Sequence, residues 1–352
     1  MKNVLVTGGA GFIGSNFVRF LLEKNQHVRI INLDALTYAG SLLNLAGVLD
    51  SARHIFVEAN ICDKDVIPNV LKKYDVDTIA HFAAETHVDR SILEPDPFFQ
   101  TNVLGTLNLL ESAKEFWAQK KMQGRFHHIS TDEVYGSLAE NELAFTESST
   151  YFPRSPYSAS KAASDHLVRA YFHTYNIHVT LTNCSNNYGA YQFVEKLIPF
   201  TILNALQGNS LPIYGDGKQI RDWLYVQDHC EAIYNVLERG SVGETYNIAG
   251  NNQICNLDLV QMICAMLDEF QPAQSSYASL ITHVSDRFGH DRRYALDTTK
   301  IYNQLGWSPK YNIEAGLRET VQWYLQNPDW MQAAFSKMQS ENWLEKNYQH
   351  RG

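Results

Sequence analysis

Two adjacent carboxyl side chains, Asp132 and Glu133, follow an apolar run from Phe126 to Ile129, and a phenol–ammonium pair, Tyr157 and Lys161, stands shortly beyond. The four-residue step from Tyr157 to Lys161 puts both on one face of a helix. Free tyrosine titrates at about 10, and a neighbouring positive charge favours the phenolate, which can take the proton of an alcohol undergoing oxidation. Adjacent carboxyls can run an acid and a base side by side. Glu133 is placed to take a proton from carbon next to a new ketone, and Asp132 to protonate a departing hydroxyl. Thr131 can hydrogen-bond the oxygen that becomes the ketone. Oxidation alone needs only Tyr157 and Lys161. The carboxyl pair points to oxidation as one step of an elimination.

Oxidation needs an electron acceptor, and the run Gly8 to Gly14 fits one. Gly8 allows a tight turn, Gly11 lets the backbone approach a pyrophosphate, and Gly14 lets a helix pack close to a sheet. The helix N-terminus beyond, with Phe12 and Ile13, offers N–H groups and a partial positive charge to phosphates. Asp34 stands 20 residues past Gly14, at the end of the next strand pattern. A carboxylate there accepts from both ribose hydroxyls and repels a 2′-phosphate, which favours NAD over NADP. Asn60 and Ile61 follow the third strand pattern, where an adenine edge lies. Asn60 either accepts from the adenine amino group or is an ordinary turn residue. The small residues Ala83 and Ala84 leave room for the nicotinamide half, and His81 reads as a core histidine.

The elements that must position these groups alternate. Strands are expected at Asn3–Thr7, Val28–Leu33, His54–Val57, Thr78–Phe82, Phe126–Ile129 and His178–Asn183. Helices are expected from about Ser15 to Lys24, at Phe98–Gln119, Pro156–Tyr175, Asp228–Arg239 and Ile313–Leu325. This rhythm predicts an α/β fold, a Rossmann-like doubly wound parallel sheet. Beyond about residue 185, loops, short strands and lid-like helices predict a smaller, discontinuous C-terminal substrate-binding domain. We assign 1–185 to the NAD-binding domain, with 222–249 and 298–325 packing on it, and most of 186–352 to the substrate domain. A net charge of −9 argues against nucleic acid or an anionic membrane as partner. Five cysteines, odd in number and without metal-ligand spacing, read as free thiols, so no metal is expected. The chain opens directly on a strand and holds no membrane-length apolar run, so a cytoplasmic protein is expected.

With these residues in view, the chain closely resembles the dTDP-glucose 4,6-dehydratase family of the extended short-chain dehydrogenase/reductase superfamily. The resemblance rests on TGGAGFIG at 7–14, DALTYAG at 34–40, HFAAETHVDRS at 81–91, STDEVYG at 130–136 and SPYSASKAASD at 155–165. It continues through 186–199, 221–229 and 286–297, nearly the whole chain. TDEVYG separates dehydratases from epimerases and decarboxylases of the superfamily. The resemblance implies NAD contacts that include Thr37, and a hexose held by Thr86, Asn187, Glu195 and Lys196 with Leu197 beside them. It implies a diphosphate bound by Arg221, Asn256 and Arg287, and a nucleoside near Pro212, Tyr214 and His290. It further implies a homodimer joined through the helices near 98–119 and 156–175. The expected reaction converts dTDP-glucose to its 4-keto-6-deoxy sugar for deoxysugars such as rhamnose. The alternative is a UDP- or CDP-sugar 4,6-dehydratase or a nucleotide-sugar 4-epimerase.

Overall fold

The computed structural model describes residues 1–286 and 290–340. Seven strands form one parallel sheet: β1 (Asn3–Thr7), β2 (Arg29–Asp34), β3 (His54–Glu58), β4 (Thr78–His81), β5 (Arg125–Thr131), β6 (His178–Cys184) and β10 (Thr245–Ile248). Their spatial order is β3-β2-β1-β4-β5-β6-β10, so the chain reverses direction across the sheet between β1 and β4. Strand side chains alternate between faces, and both faces here are apolar. Val4, Val6 and Ile30 pack with Phe17 and Leu21 of helix Phe12–Lys24 and with Ile233 of helix Val226–Arg239. Leu5, Ile31, Ile79 and Phe126 pack on the other face with Leu109, Trp117 and Val168. The doubly wound sheet expected from the alternation is present, with strand ends within two residues of those read from the sequence.

A separate apolar core lies among the later elements. It gathers helices Leu197–Leu206, Asn256–Phe270, Ile313–Gln326 and Pro328–Ser340 around two small sheets. One sheet has the order β11-β9-β7 and the other β12-β8. Their strands are β7 (Asn186–Tyr188), β8 (Leu211–Tyr214), β9 (Ile220–Tyr225), β11 (Gln253–Cys255) and β12 (Ile281–Val284). Helix Asn256–Phe270 is a regular 15-residue amphipathic element in a segment where sequence reading expected loops, short strands and lid-like helices without setting their bounds. One carboxylate ties the two cores: Asp222 on β9 accepts from Ser185 Oγ at 3.2 Å and from the Gly250 N–H at 2.8 Å. Helix Pro328–Ser340 reaches back over the loop after β2. Lys337 Nζ donates to the Thr37 and Gly40 carbonyls at 2.6 and 2.8 Å, and Trp330 Nε1 to Asn44 Oδ1 at 2.7 Å.

Two local features aim side chains at the sheet's carboxyl edge. The helix expected over Phe98–Gln119 is regular only from Thr106 to Lys120; before it, Phe99–Gly105 widens into a π-helical stretch. Such wide turns recur at functional sites because they re-aim a side chain. Here Asn102 Nδ2 donates to Ser160 Oγ at 2.8 Å, while its Oδ1 accepts from the Glu85 N–H. Helix Pro156–Tyr175 starts with a capping box in which Ser155 Oγ accepts from the Ser158 N–H, and Pro156 occupies the first turn. Replacing Ser155 by Ala removes that acceptor from the turn carrying Tyr157. It is expected to cost about 1 kcal/mol of stability, read as a lower urea midpoint at unchanged slope.

Candidate active site

A cleft runs along the carboxyl ends of β1, β2, β4, β5 and β6, the edge at which open α/β sheets hold ligands. Its first half is a backbone cradle. Gly8 takes a left-handed φ of +71°, and a side chain on it would meet Ala83 N at 2.6 Å. A side chain on Gly14 would meet the Gly8 carbonyl oxygen at 2.2 Å. Glycine is required at both positions by backbone lying against backbone. No side chain caps helix Phe12–Lys24, so its first turn presents N–H donors to the cleft. Asp34 accepts from the Ala10 and Leu36 N–H groups at 2.9 and 2.8 Å. Each carboxylate oxygen retains a second acceptor position. This donor and acceptor set fits a dinucleotide. Gly11, Phe12, Ile13, Thr37, Asn60, Ile61 and Ala83 line the same half. Asn60 Oδ1 also accepts from the Cys62 N–H at 2.9 Å, so the turn-residue reading holds for its side chain.

Thr131, Asp132, Glu133, Tyr157 and Lys161 meet at the middle of the cleft. They come from the end of β5, the single turn of 3-10 helix after it (Asp132–Tyr135), and the start of helix Pro156–Tyr175. Asp132 is 2% exposed, and its Oδ1 accepts from Thr131 Oγ1 at 3.3 Å. Its Oδ2 has no hydrogen-bond partner among the described residues. Burial first, and the Glu133 carboxylate second, push Asp132 well above the ordinary carboxyl range, while Arg221 draws it back. Two carboxyls adjacent in sequence therefore stand at different depths: Asp132 is buried and its protonated form favoured, while Glu133 is half-buried on the cleft wall.

The sequence-based expectation of a lowered phenol at Tyr157 rests on Lys161 together with a positive nicotinamide ring. Burial and the Glu133 charge push the phenol well above its usual value, and the hydrogen bond with Thr131 only partly offsets them. The Lys161 ammonium is turned to other partners. It donates to the Ile129 carbonyl at 2.8 Å and lies 3.4 Å from His128 Nε2. His81 is buried off the cleft between Thr7 and Thr106, with ring nitrogens 2.7 and 2.9 Å from their hydroxyls.

The expected substrate residues fall into two groups. Thr86, Asn187, Glu195 and Lys196 line the far half of the cleft. Lys196 Nζ donates to the Thr86 carbonyl at 3.3 Å, and Asn187 Oδ1 meets His229 Nδ1 at 2.8 Å. Leu197 begins helix Leu197–Leu206 and packs into the later core, not the cleft. Pro212, Tyr214, Arg221, Asn256 and His290 gather outside this cleft, around β8, β9 and the start of helix Asn256–Phe270. Tyr214 and His290 meet edge to face at 6.2 Å, and the Asn256 N–H donates to the Gln219 carbonyl at 3.1 Å. The Arg221 guanidinium donates to the Ile220 and Asp291 carbonyls and stacks 4.4 Å over Tyr294. Arg287 lies outside the described residues. Sequence reading passed over Cys184, Ser185 and Gln192, which also line the cleft. The position of Cys184 and Ser185 at the carboxyl end of β6 was the available signal.

Comparison with known proteins adds to this geometry. Residues 5–320 match the family described as GDP-mannose 4,6 dehydratase. The chain is 53% identical to dTDP-glucose 4,6-dehydratase of Shigella flexneri over 360 residues, 99% of each protein. It superposes on the dTDP-glucose 4,6-dehydratase DesIV of Streptomyces venezuelae, solved with NAD and TYD bound, with a TM-score of 0.88. That match has 45% identity over 94% of this chain and 99% of the other. The UDP-glucose 4-epimerase of Thermotoga maritima, solved with UDP-glucose, shares the fold at a TM-score of 0.82 and 28% identity, over 93% and 99%. Fold alone thus spans dehydratases and epimerases, and identity sets them apart.

The raised Asp132 has a signed consequence for stability. Unfolding lets this carboxyl ionise, so the native state binds more protons and loses stability as pH rises above the unfolded value of about 4. Asp132→Asn lacks that loss. It is expected to unfold at higher temperature than the parent at about pH 8, by about 1.4 kcal/mol per unit of elevation. The difference is expected to vanish below about pH 4, where both states of the parent are protonated. Thermal melts of the two proteins across this range measure it.

Proposed function

This chain belongs to the dTDP-glucose 4,6-dehydratase family, and we propose that it removes water from dTDP-glucose to give dTDP-4-keto-6-deoxyglucose. The observation that carries the reading is the carboxyl pair in the cleft: a buried Asp132, pushed well above the ordinary carboxyl range, beside a half-buried Glu133. A 4-epimerase needs neither an acid for a leaving hydroxyl nor a base for a neighbouring carbon.

NAD is held by the glycine cradle, the uncapped helix N-terminus and Asp34, and supplies a two-electron acceptor that is restored before the product leaves. The protein's groups handle protons. Tyr157 receives the proton of the C4 hydroxyl, with Thr131 steadying the same oxygen. The phenol starts protonated-favouring, so a positive charge must come near it before it can serve as a base. Glu133 takes the proton from C5 once C4 is a ketone. Asp132 gives its proton to the C6 hydroxyl, which departs as water, and a buried acid is suited to that. C6 of the resulting alkene then receives the hydride removed from C4, which restores NAD, while C5 takes back its proton from Glu133. Thr86, Asn187, Glu195 and Lys196 hold the hexose in the far half of the cleft. Arg221 and Asn256, with Arg287, bind the diphosphate, and Pro212, Tyr214 and His290 take the nucleoside, since planar guanidinium groups suit phosphate oxygens and an aromatic ring suits a base.

The product serves deoxysugar synthesis, rhamnose being one such sugar, and we place the enzyme in the cytoplasm. Five free thiols support a reducing compartment. Among the described residues no helix is long and apolar enough to cross a membrane. We further assign 1–185 with 222–249 and 298–325 to the cofactor domain and most of 186–352 to the substrate domain. The active form is a homodimer joined through the helices near 98–119 and 156–175, supported by the exposed apolar side chains Leu93, Phe99 and Leu104.

Three outcomes check these assignments. Mass spectrometry of the protein incubated separately with dTDP-, UDP-, GDP- and CDP-glucose or mannose, without reductant, is expected to show loss of one water from dTDP-glucose alone. An isomer of unchanged mass would sink the dehydratase reading in favour of the epimerase. Asp132→Asn is expected to keep C4 oxidation, seen as reduced-cofactor absorbance, while turnover falls by about 10² to 10⁴. Phe99→Asp with Leu104→Asp is expected to halve the molar mass measured by light scattering.

A further inference from the structure

Helix Pro156–Tyr175 carries Tyr157, Lys161 and Asp165 at successive four-residue steps, and all three are buried. The oxidation read from the sequence uses the first two and leaves Asp165, with no exposure at all, without a task. A buried ammonium is costly unless a charge of opposite sign stands near it. The geometry around Lys161 supplies one. His128 Nε2 lies 3.4 Å from Lys161 Nζ and 3.2 Å from Asp165 Oδ1, so the imidazole stands between ammonium and carboxylate. The other oxygen, Oδ2, accepts from Ser130 Oγ and from Tyr151 OH, each at 2.9 Å. Arg169 donates to that same Tyr151 oxygen at 2.7 Å.

We propose that Asp165 is the internal counter-ion of Lys161, a positioning residue that acts alongside His128 to keep the ammonium charged in the floor of the cleft. The inference rests on the reading of Tyr157 and Lys161 as the oxidising pair. Groups facing the site from other elements do not supply the charge. His81 on β4 and His128 on β5 are held neutral by burial, reinforced by the Lys161 charge. Cys184 on β6 stays a thiol, pushed up to about 12 by burial. Glu133 and Asp132 raise Tyr157. Burial draws Lys161 down and Asp165 raises it. Asp165 is itself raised by burial, against the pull of Lys161, Arg169 and its two hydroxyl donors.

The sign is fixed. Removing the carboxylate charge lets Lys161 lose its proton at lower pH, so the alkaline limb of turnover moves down. The test labels the lysine Cε carbons with ¹³C in the full chain and identifies the Lys161 signal by its loss in Lys161→Arg. In the parent Lys161 is expected to be charged at about pH 7. In Asp165→Asn its midpoint is expected to fall by about one pH unit or more, tenfold in the proton equilibrium. Turnover of dTDP-glucose by this variant is expected to fail at lower pH than in the parent and to recover on acidification. Tyr151→Phe removes a hydrogen bond to the same carboxylate but no charge, and is expected to keep the parental limb. An unmoved Lys161 midpoint, or a turnover loss equal at every pH, would overturn the proposal. If Asp165→Asn does not fold, the parent decides: a Lys161 neutral at about pH 7 overturns it, and a charged one supports it. The titration needs no substrate, so failure of the parent to dehydrate dTDP-glucose would count against the proposed reaction and leave this inference to its own result.

Discussion

The structure depends on one close approach, where the turn after β1 lies against the end of β4. Gly8 has Ala83 backbone atoms within 3 Å of where a side chain would begin, and Gly14 is pressed on Gly8 in the same way. Backbone meets backbone there because the sheet changes winding direction between these two strands. Everything the site uses is referenced to that junction. The bare N-terminus of helix Phe12–Lys24 is aimed by it, and β5 and β6 continue the sheet outward from β4 in parallel register. Their carboxyl ends deliver Thr131, Asp132 and Glu133, then Cys184 and Ser185, to the same edge.

Local pattern made much of this legible. Six strands of the large sheet and the helix over 156–175 follow from alternation, from β-branched runs and from Pro156. The same holds for the glycines, for Asp34 and for the grouping of the five central residues, since strand ends in a parallel sheet converge on one edge. What sequence could not supply is of another kind. The π-helical stretch at 99–105 arises from packing, where Gly105 sits against Ile61 and Asn102 is pinned between Glu85 and Ser160. Helix Asn256–Phe270 lies in a segment whose flanking Gly and Asn residues read as loop. The upward displacement of Tyr157 is a sum over burial and neighbours that spacing does not encode. Resemblance reached further than spacing for Thr86, Asn187, Glu195 and Lys196, which share no local pattern yet line one wall.

Electrostatics here is a matter of depth more than of sequence distance. Asp132 and Glu133 are neighbours and both line the cleft, but Asp132 is buried and Glu133 only half-buried. The Glu133 charge then adds to the rise that burial causes in Asp132. Asp222 extends the theme: burial pushes it up to about 6, although Ser185 and the Gly250 and Asn252 N–H groups favour its charged form. That carboxylate is also the tie between the sheet and the later core, so a structural joint and the acid share one patch of low dielectric.

The loop after β2, which borders the cleft beside Asp34, is clasped by helix Pro328–Ser340, through Lys337 and Trp330. The clasp therefore comes from the part of the chain synthesised long after the loop itself. A nascent polypeptide that has emerged through β10 already owns every strand of the large sheet, yet its Thr37–Asn44 segment is still unfastened. That segment is fastened only once helix Pro328–Ser340 has been made, and the order of synthesis separates building the scaffold from latching it.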